Sequence, residues 1–93
     1  MTDIQEIILK YLCGYFVATH GDWTTREDII LSIYSDKDNQ GSFLVNQLDQ
    51  LVDLGFVHKK LFMDRHMYRV TDMGLIINES MHRSYCADKR AKD

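Results

Sequence analysis

Hydrophobic residues recur every three or four positions over the first part of the chain. They are Ile4, Ile7, Ile8, Tyr11, Leu12, Tyr15 and Phe16. This spacing predicts an amphipathic helix with one wide apolar stripe. The stretch Thr19-His20-Gly21-Asp22 follows, and glycine is the residue that most easily adopts the backbone conformation that ends a helix. We therefore expect the first helix to stop at Gly21.

Two shorter helices are predicted next. Thr24 and Glu27 have the spacing of a capping box, which predicts that a helix begins at Thr24. Trp23 lies just before it and is interpreted as a hydrophobic staple or as part of a short extra strand. Residues 35–42 are polar and predict a turn. A third helix follows, with Leu44, Leu48, Leu51 and Val52 on its buried side, and it ends at Gly55.

The remaining pattern predicts a β-hairpin followed by a last helix. Residues 56–62 and 67–70 are predicted strands, with residues 63–66 at the tip. Thr71 is the predicted cap of the last helix, which has apolar residues at Met73, Ile76, Ile77 and Met81. We expect one domain over residues 1–86 and a charged, frayed tail over residues 87–93.

The order helix, helix, helix, hairpin, helix resembles a winged helix-turn-helix domain, with a possible short extra strand near Trp23. Residues 51–57, LVDLGFV, resemble the end of the recognition helix in MarR-like, PadR-like and ArsR-like regulators. Residues 68–74, YRVTDMG, resemble the sequence that closes their wing and opens the next helix. The resemblance covers about residues 4–82. It implies a mostly α fold with a small β-hairpin wing.

In those families the third helix enters the major groove of DNA. The resemblance therefore implies that Asn46, Gln47 and Gln50 read bases and that Ser42 and Thr25 bind phosphates. It also implies backbone contacts from a set of basic side chains around the wing. This set is Arg26, Lys59, Lys60, Arg65, His66 and Arg69. The alternative interpretation of the wing residues is a solvated hairpin edge, where lysine guards against strand aggregation.

The charge pattern favours a second hypothesis. Residues 1–57 hold nine acids and three bases, whereas residues 58–93 hold five acids and eight bases. The third helix has no lysine or arginine but carries Asp49 and Asp53, and Asp36 and Asp38 precede it. The families also commonly have serine or threonine at the place of Phe43 and arginine at the places of Asn46 and Gln50. The alternative is therefore a winged helix that binds a protein, such as a phage or plasmid accessory protein that docks on host machinery.

The aromatic residues of the first helix are interpreted either as core or as a dimer seam. A homodimer would use Tyr11 and Tyr15 of the first helix, or Met73, Ile77 and Met81 of the last. Two-fold symmetry would place two third helices one turn of DNA apart, so the predicted target is a palindromic duplex site.

Length and composition limit the other functions. Ninety-three residues make one small domain. Cys13 and Cys86 have no paired spacing, so we expect reduced thiols in a cytoplasmic protein and no zinc site. The four histidines lie on different elements, without the spacing of a metal motif. We therefore expect no enzyme, no metal and no cofactor. No apolar run is long enough to cross a membrane, and the first residues lack the basic start of a signal peptide.

Overall fold

The chain folds into four helices and a three-stranded sheet. The computed structural model describes residues 1–33 and 41–91, with side chains described for 1–33 and 42–81. The elements are α1 (Asp3–Thr19), β1 (Thr24–Thr25), α2 (Arg26–Ile33), α3 (Gly41–Asp53), β2 (Val57–Phe62), β3 (Arg65–Val70) and α4 (Asp72–Ala91). This order confirms the predicted winged helix architecture, including the short extra strand beside Trp23.

The sheet has the order β1-β3-β2, and both pairings are antiparallel. Directly paired residues point to the same side of a sheet. The pairs Val57–Val70, Lys59–Tyr68 and Leu61–His66 share the inner face, which packs on the helices through buried Val57, Tyr68 and Val70. The pairs His58–Arg69, Lys60–Met67 and Phe62–Arg65 share the opposite, outer face.

The tip of the hairpin is a two-residue turn. Met63 and Asp64 both have positive φ, at 50° and 62°. Positive φ at both central residues is the mark of the mirror-image turn that suits the twist of a hairpin. The turn is shorter than the predicted tip, because Arg65 and His66 already pair with β2 as the first residues of β3.

Two predicted helix ends are displaced by one residue. α1 ends with His20 in the left-handed conformation, at φ 58°, and Gly21 follows it at φ 97°. α2 is capped by Thr25, whose Oγ1 accepts a hydrogen bond from the Asp28 amide at 3.2 Å. The predicted capping box at Thr24 is wrong, because Thr24 lies in β1 with its side chain buried.

A glycine turn joins α3 to the sheet. Gly55 has φ 85°, its amide donates to the Val52 carbonyl, and the Phe56 amide donates to the Leu51 carbonyl. This pair of bonds is a Schellman motif, for which a left-handed glycine is the usual residue. Thr71 then caps α4, as predicted, by accepting the Gly74 amide at 3.0 Å. Its hydroxyl also donates to the Gly55 carbonyl at 2.7 Å, which ties the start of α4 to the end of α3.

One hydrophobic core lies between the helices and the inner face of the sheet. Its buried residues are Ile8, Leu9, Leu12, Cys13, Ile29, Leu44, Leu48, Leu51, Val57, Tyr68 and Val70. Burial raises the pKa of the Cys13 thiol to about 11. The thiol therefore stays protonated at neutral pH and packs as a small apolar group.

The last helix continues beyond the predicted domain boundary. The backbone of α4 is helical to Ala91. The division at residue 86 between a domain and a frayed tail stays a prediction. The predicted polar turn before α3 falls largely outside the described residues, and so do Asp36 and Asp38.

Candidate nucleic-acid interface

The exposed side of α3 is polar at its centre and apolar near its start. Ser42, Asn46 and Gln50 are exposed, and Phe43 is 48% exposed. The Asn46 amide makes no hydrogen bond within the described part of the chain, so its donor and its acceptor are both available. An amide of this kind can bind adenine through two hydrogen bonds.

Gln47 does not lie on this exposed side. Its side chain is 9% exposed, and its Oε1 accepts from Gln5 Nε2 at 3.0 Å and from the Thr2 hydroxyl at 3.3 Å. Gln5 Nε2 also donates to Gln50 Oε1 at 2.6 Å. The prediction that Gln47 reads bases is therefore corrected, since the residue fastens α3 to the start of α1. Gln50 is exposed, but its carbonyl oxygen is already bonded.

Gln5 is a residue that the sequence analysis missed. It is 4% exposed, and it forms a capping box with Thr2 in addition to its bonds with α3. A polar residue between apolar Ile4 and Ile8 was the available signal. The amide of Gln5 thus sets how α3 lies against α1.

Replacing Gln5 by leucine is expected to destabilise the fold by about 1–3 kcal/mol, because it removes the main donor to the buried Gln47 oxygen. Chemical denaturation would measure the loss in the free energy of unfolding. The double variant Gln5→Leu/Gln47→Leu is the matched control and should recover part of the loss, since neither partner is then left unsatisfied. A double variant less stable than the single variant would contradict this role.

The sheet separates the basic residues of the wing into two groups. Lys59 and His66 belong to the inner face, on the side of α3. The Lys59 ammonium lies 3.3 Å from an Asp49 carboxylate oxygen, which joins β2 to α3. His66 is half-buried, and its Nδ1 is buried without a hydrogen-bond partner among the described residues.

Lys60, Arg65 and Arg69 belong to the outer face. The Lys60 ammonium lies 4.2 Å from the centre of the Trp23 ring, and the Arg69 guanidinium lies 5.2 Å from that of Phe16. Arg65 is exposed beside the turn and makes no ion pair within the described part of the chain. It is therefore the best-placed cation for a contact made by the hairpin tip.

Arg26 and Thr25 are held by structural bonds. Arg26 donates to the Tyr68 hydroxyl from Nη2 at 2.9 Å and from Nε at 3.3 Å. The Thr25 hydroxyl caps α2. A phosphate contact by either residue would have to share these groups, and no local pattern in the sequence indicates the Arg26–Tyr68 pair.

The residues predicted for a dimer seam are not all exposed. Tyr11, Ile77 and Met81 pack partly against the core of their own domain. The Tyr15 hydroxyl donates to the Trp23 carbonyl at 3.5 Å. Only Met73 of the predicted set is largely exposed, at 55%, and Ile76 on the next turn is 65% exposed. Among the side chains of α4 that the structure describes, which end at residue 81, the exposed large apolar ones are therefore Met73 and Ile76.

The described residues hold no group of three histidine, cysteine, aspartate or glutamate side chains arranged to bind a metal ion. None of the helices in the same part of the chain is long and apolar enough to cross a membrane.

The comparisons with known proteins identify the fold. No model of a protein family matches the chain, and no curated protein matches it. Among solved structures, it resembles MepR, a transcription regulator of the Staphylococcus aureus multidrug efflux pump MepA, with a TM-score of 0.80 at 18% identity. That match covers 98% of this chain and 62% of MepR.

Two structures of S. aureus MepR with nucleic acid are also similar. A MepR–DNA complex matches with a TM-score of 0.76 at 18% identity, over 99% of this chain and 70% of the other. A point mutant of MepR bound to an oligodeoxyribonucleotide matches with a TM-score of 0.76 at 19% identity, over 98% of this chain and 62% of the other. The chain therefore has the winged helix-turn-helix fold that its own residues predicted.

Proposed function

We propose that the protein is a winged helix transcriptional regulator that binds duplex DNA. The observation that carries the proposal is the likeness of nearly the whole chain to MepR, which has been solved in complex with DNA. The exposed Asn46 amide on α3 and the exposed Arg65 beside the hairpin turn support it, since together they offer one base-reading group and one cation.

In this proposal α3 lies in the major groove. Asn46 reads a base edge, and Ser42 binds a phosphate at the start of the helix. Arg65 binds the backbone beside the wing, and Lys59 contributes when it releases Asp49. Gln50 has a secondary role, because its oxygen is bonded to Gln5. Lys60 and Arg69 contribute only if the DNA reaches the outer face of the sheet.

We also propose that the protein acts as a homodimer on a palindromic site in the cytoplasm. The exposed pair Met73 and Ile76 supports pairing through α4. A groove of about 720 Å³ between α1 and α4, lined in part by Cys13, Gly14 and Leu75, adjoins this region. Ile77 and Met81, which pack partly against the core, would support this interface from beneath, whereas the Tyr11 and Tyr15 hydroxyls bond to Ser32 and to the Trp23 carbonyl.

The test is fluorescence anisotropy with labelled duplex DNA from low to physiological salt. Binding should weaken steeply as salt rises. Arg65→Ala should lower affinity for all sequences alike and reduce the salt slope by about 1, whereas Asn46→Ala should relax specificity at a selected site. Arg65→Lys is the matched control, because it keeps the positive charge at the same exposed position and should leave the salt slope unchanged.

A protein-binding winged helix is the second candidate. It is favoured by the absence of lysine and arginine from α3 and by three consecutive exposed apolar residues at the wing. Leu61, Phe62 and Met63 are 64%, 54% and 81% exposed. Absence of duplex binding even at low salt would exclude the regulator and support this candidate.

A further inference from the structure

The outer face of the sheet carries a cluster that duplex binding by α3 does not use. The cluster alternates rings and cations from the hairpin tip to its base. Its members, in that order, are Phe62, Lys60, Trp23, Arg69 and Phe16. We call these five residues the ring–cation track.

The distances within the track place each cation within about 6 Å of two ring centres, the range of cation–π attraction. The Lys60 ammonium lies 5.6 Å from the centre of the Phe62 ring and 4.2 Å from that of Trp23. The Arg69 guanidinium lies 5.9 Å from the centre of the Trp23 ring and 5.2 Å from that of Phe16. Each cation thus rests on two aromatic rings.

Within the part of the chain that the structure describes, the cations of the track make no other bonds. Neither Lys60 nor Arg69 makes a hydrogen bond or an ion pair with any described residue, so their N–H groups are free for an external acceptor. Arg65 lies on the same face but is not part of the track, since the proposed duplex contact uses it at the hairpin tip. None of the outer-face strand residues is acidic, although Asp64 in the turn and Asp72 in α4 lie at the two ends.

The track also ends in a cleft. A space of about 360 Å³ opens at the base of the hairpin, lined by Phe16, Trp23, His58, Arg69, Val70, Thr71 and Asp72. The His58 ring lies 6.4 Å from that of Trp23. The volume lies within the range of small-ligand clefts, and the lining includes three rings and a guanidinium.

We infer that the outer face binds single-stranded nucleic acid. Aromatic rings that stack on bases, combined with cations that follow the phosphates, are the chemistry of sites that bind single strands. A strand of six residues spans about 20 Å, which is long enough for several nucleotides. On binding, a base replaces Lys60 over Trp23, and the freed ammonium pairs with a phosphate. This site lies on the sheet face opposite α3 and does not depend on duplex binding.

The chain contains one tryptophan, and it lies in the middle of the track. Trp23 fluorescence therefore reports directly on the site. Titration with oligothymidylate of about 12 nucleotides, a length within the range of such sites, should quench it. An abasic oligonucleotide of the same length and charge is the control. We expect the oligothymidylate to bind at least about tenfold more tightly, because only it has bases to stack.

Variants separate stacking from charge, with end-labelled oligonucleotides and anisotropy as the readout. Phe62→Leu keeps an apolar side chain but removes a ring that is 54% exposed, so the fold should persist. It should weaken oligothymidylate binding about fivefold or more and leave abasic binding unchanged. Leu61→Ala is the matched control, because Leu61 is exposed on the opposite face of the same strand, and it should change neither affinity.

Equal affinities for the oligothymidylate and the abasic strand would overturn the inference, since the face would then attract phosphate alone. Equal losses from Phe62→Leu and Leu61→Ala would overturn it as well. Duplex binding is measured separately with Asn46→Ala, which should not affect single strands. Absence of duplex binding by the unaltered protein contradicts the proposed regulator, whereas absence of a preference for the oligothymidylate over the abasic strand contradicts the single-strand site.

Discussion

Replacing Gly74 by alanine is expected to destabilise the fold by about 2 kcal/mol, although alanine is the better helix former. An alanine Cβ at this position would lie 2.7 Å from Val70 Cγ2 and would overlap the Phe56 carbonyl oxygen. That oxygen also accepts the Thr71 amide at 3.0 Å, so it cannot move without disturbing the start of α4. Overpacking of this kind costs about 1–3 kcal/mol or more, which outweighs the gain of about 1 kcal/mol in helix propensity.

Gly14 provides the matched control for this substitution. It lies within α1, it is exposed, and an added Cβ would meet no atom within 4 Å. Gly14→Ala should therefore stabilise the protein by up to about 1 kcal/mol. Chemical denaturation of the two variants should give changes of opposite sign. A neutral or stabilising Gly74→Ala would show that α4 does not depend on close approach to the end of the third helix.

The features that the sequence predicted well are set by residues close together in the chain. Gly55 and Thr71 act through bonds to backbone groups or through their own backbone angles, so their roles follow from type and position. The tight packing at Gly74 also has a local signal, because a glycine inside a helix costs about 1 kcal/mol in propensity and so indicates close packing. The predicted cap at Thr24 was wrong because the adjacent Thr25 has the same capping chemistry. Thr24 pairs with β3 and is buried, so Thr25 caps α2.

The prediction for Gln47 shows a different limit. Gln47 lies three residues after Leu44 and four before Leu51, so helical periodicity alone places it on the buried face. The resemblance to DNA-binding families implies the exposed side instead, and the fold follows the periodicity. The bond to Gln5 joins residues that are 42 positions apart in the sequence, and no local sequence pattern indicates it.

The ring–cation track could be predicted only in part. Alternation along a strand is enough to place Lys60 and Phe62 on one side of β2. Phe16 belongs to α1, and Trp23 lies at the end of the loop that follows α1. Their proximity to Lys60 and Arg69 depends on the packed fold and could not be predicted from the sequence. The two-residue turn could not be predicted from the sequence either, because Met63 is not a residue that favours positive φ.

Replacing Tyr68 by alanine is expected to cost about 3–5 kcal/mol, a large share of the stability of a small domain. Tyr68 is fully buried at the centre of β3, where it pairs with Thr24 on one side and Lys59 on the other. Its hydroxyl accepts two hydrogen bonds from Arg26, and that guanidinium lies 5.9 Å from the centre of the ring. The side chain thus joins all three strands to the start of α2.

The variant Tyr68→Phe distinguishes the contribution of the ring to stability from that of the hydroxyl. It keeps the packing and removes only the acceptor for Arg26, so it should cost about 1 kcal/mol, because the half-buried guanidinium remains accessible to water. A double-mutant cycle with Arg26→Met would isolate the coupling between the two side chains. Thermal and chemical unfolding of the four proteins would measure it. If Tyr68→Ala lowered the free energy of unfolding by no more than Tyr68→Phe does, the ring would not be the link between sheet and helices. The stability of the wing would then have to come from other contacts, such as those of buried Val57 and Val70.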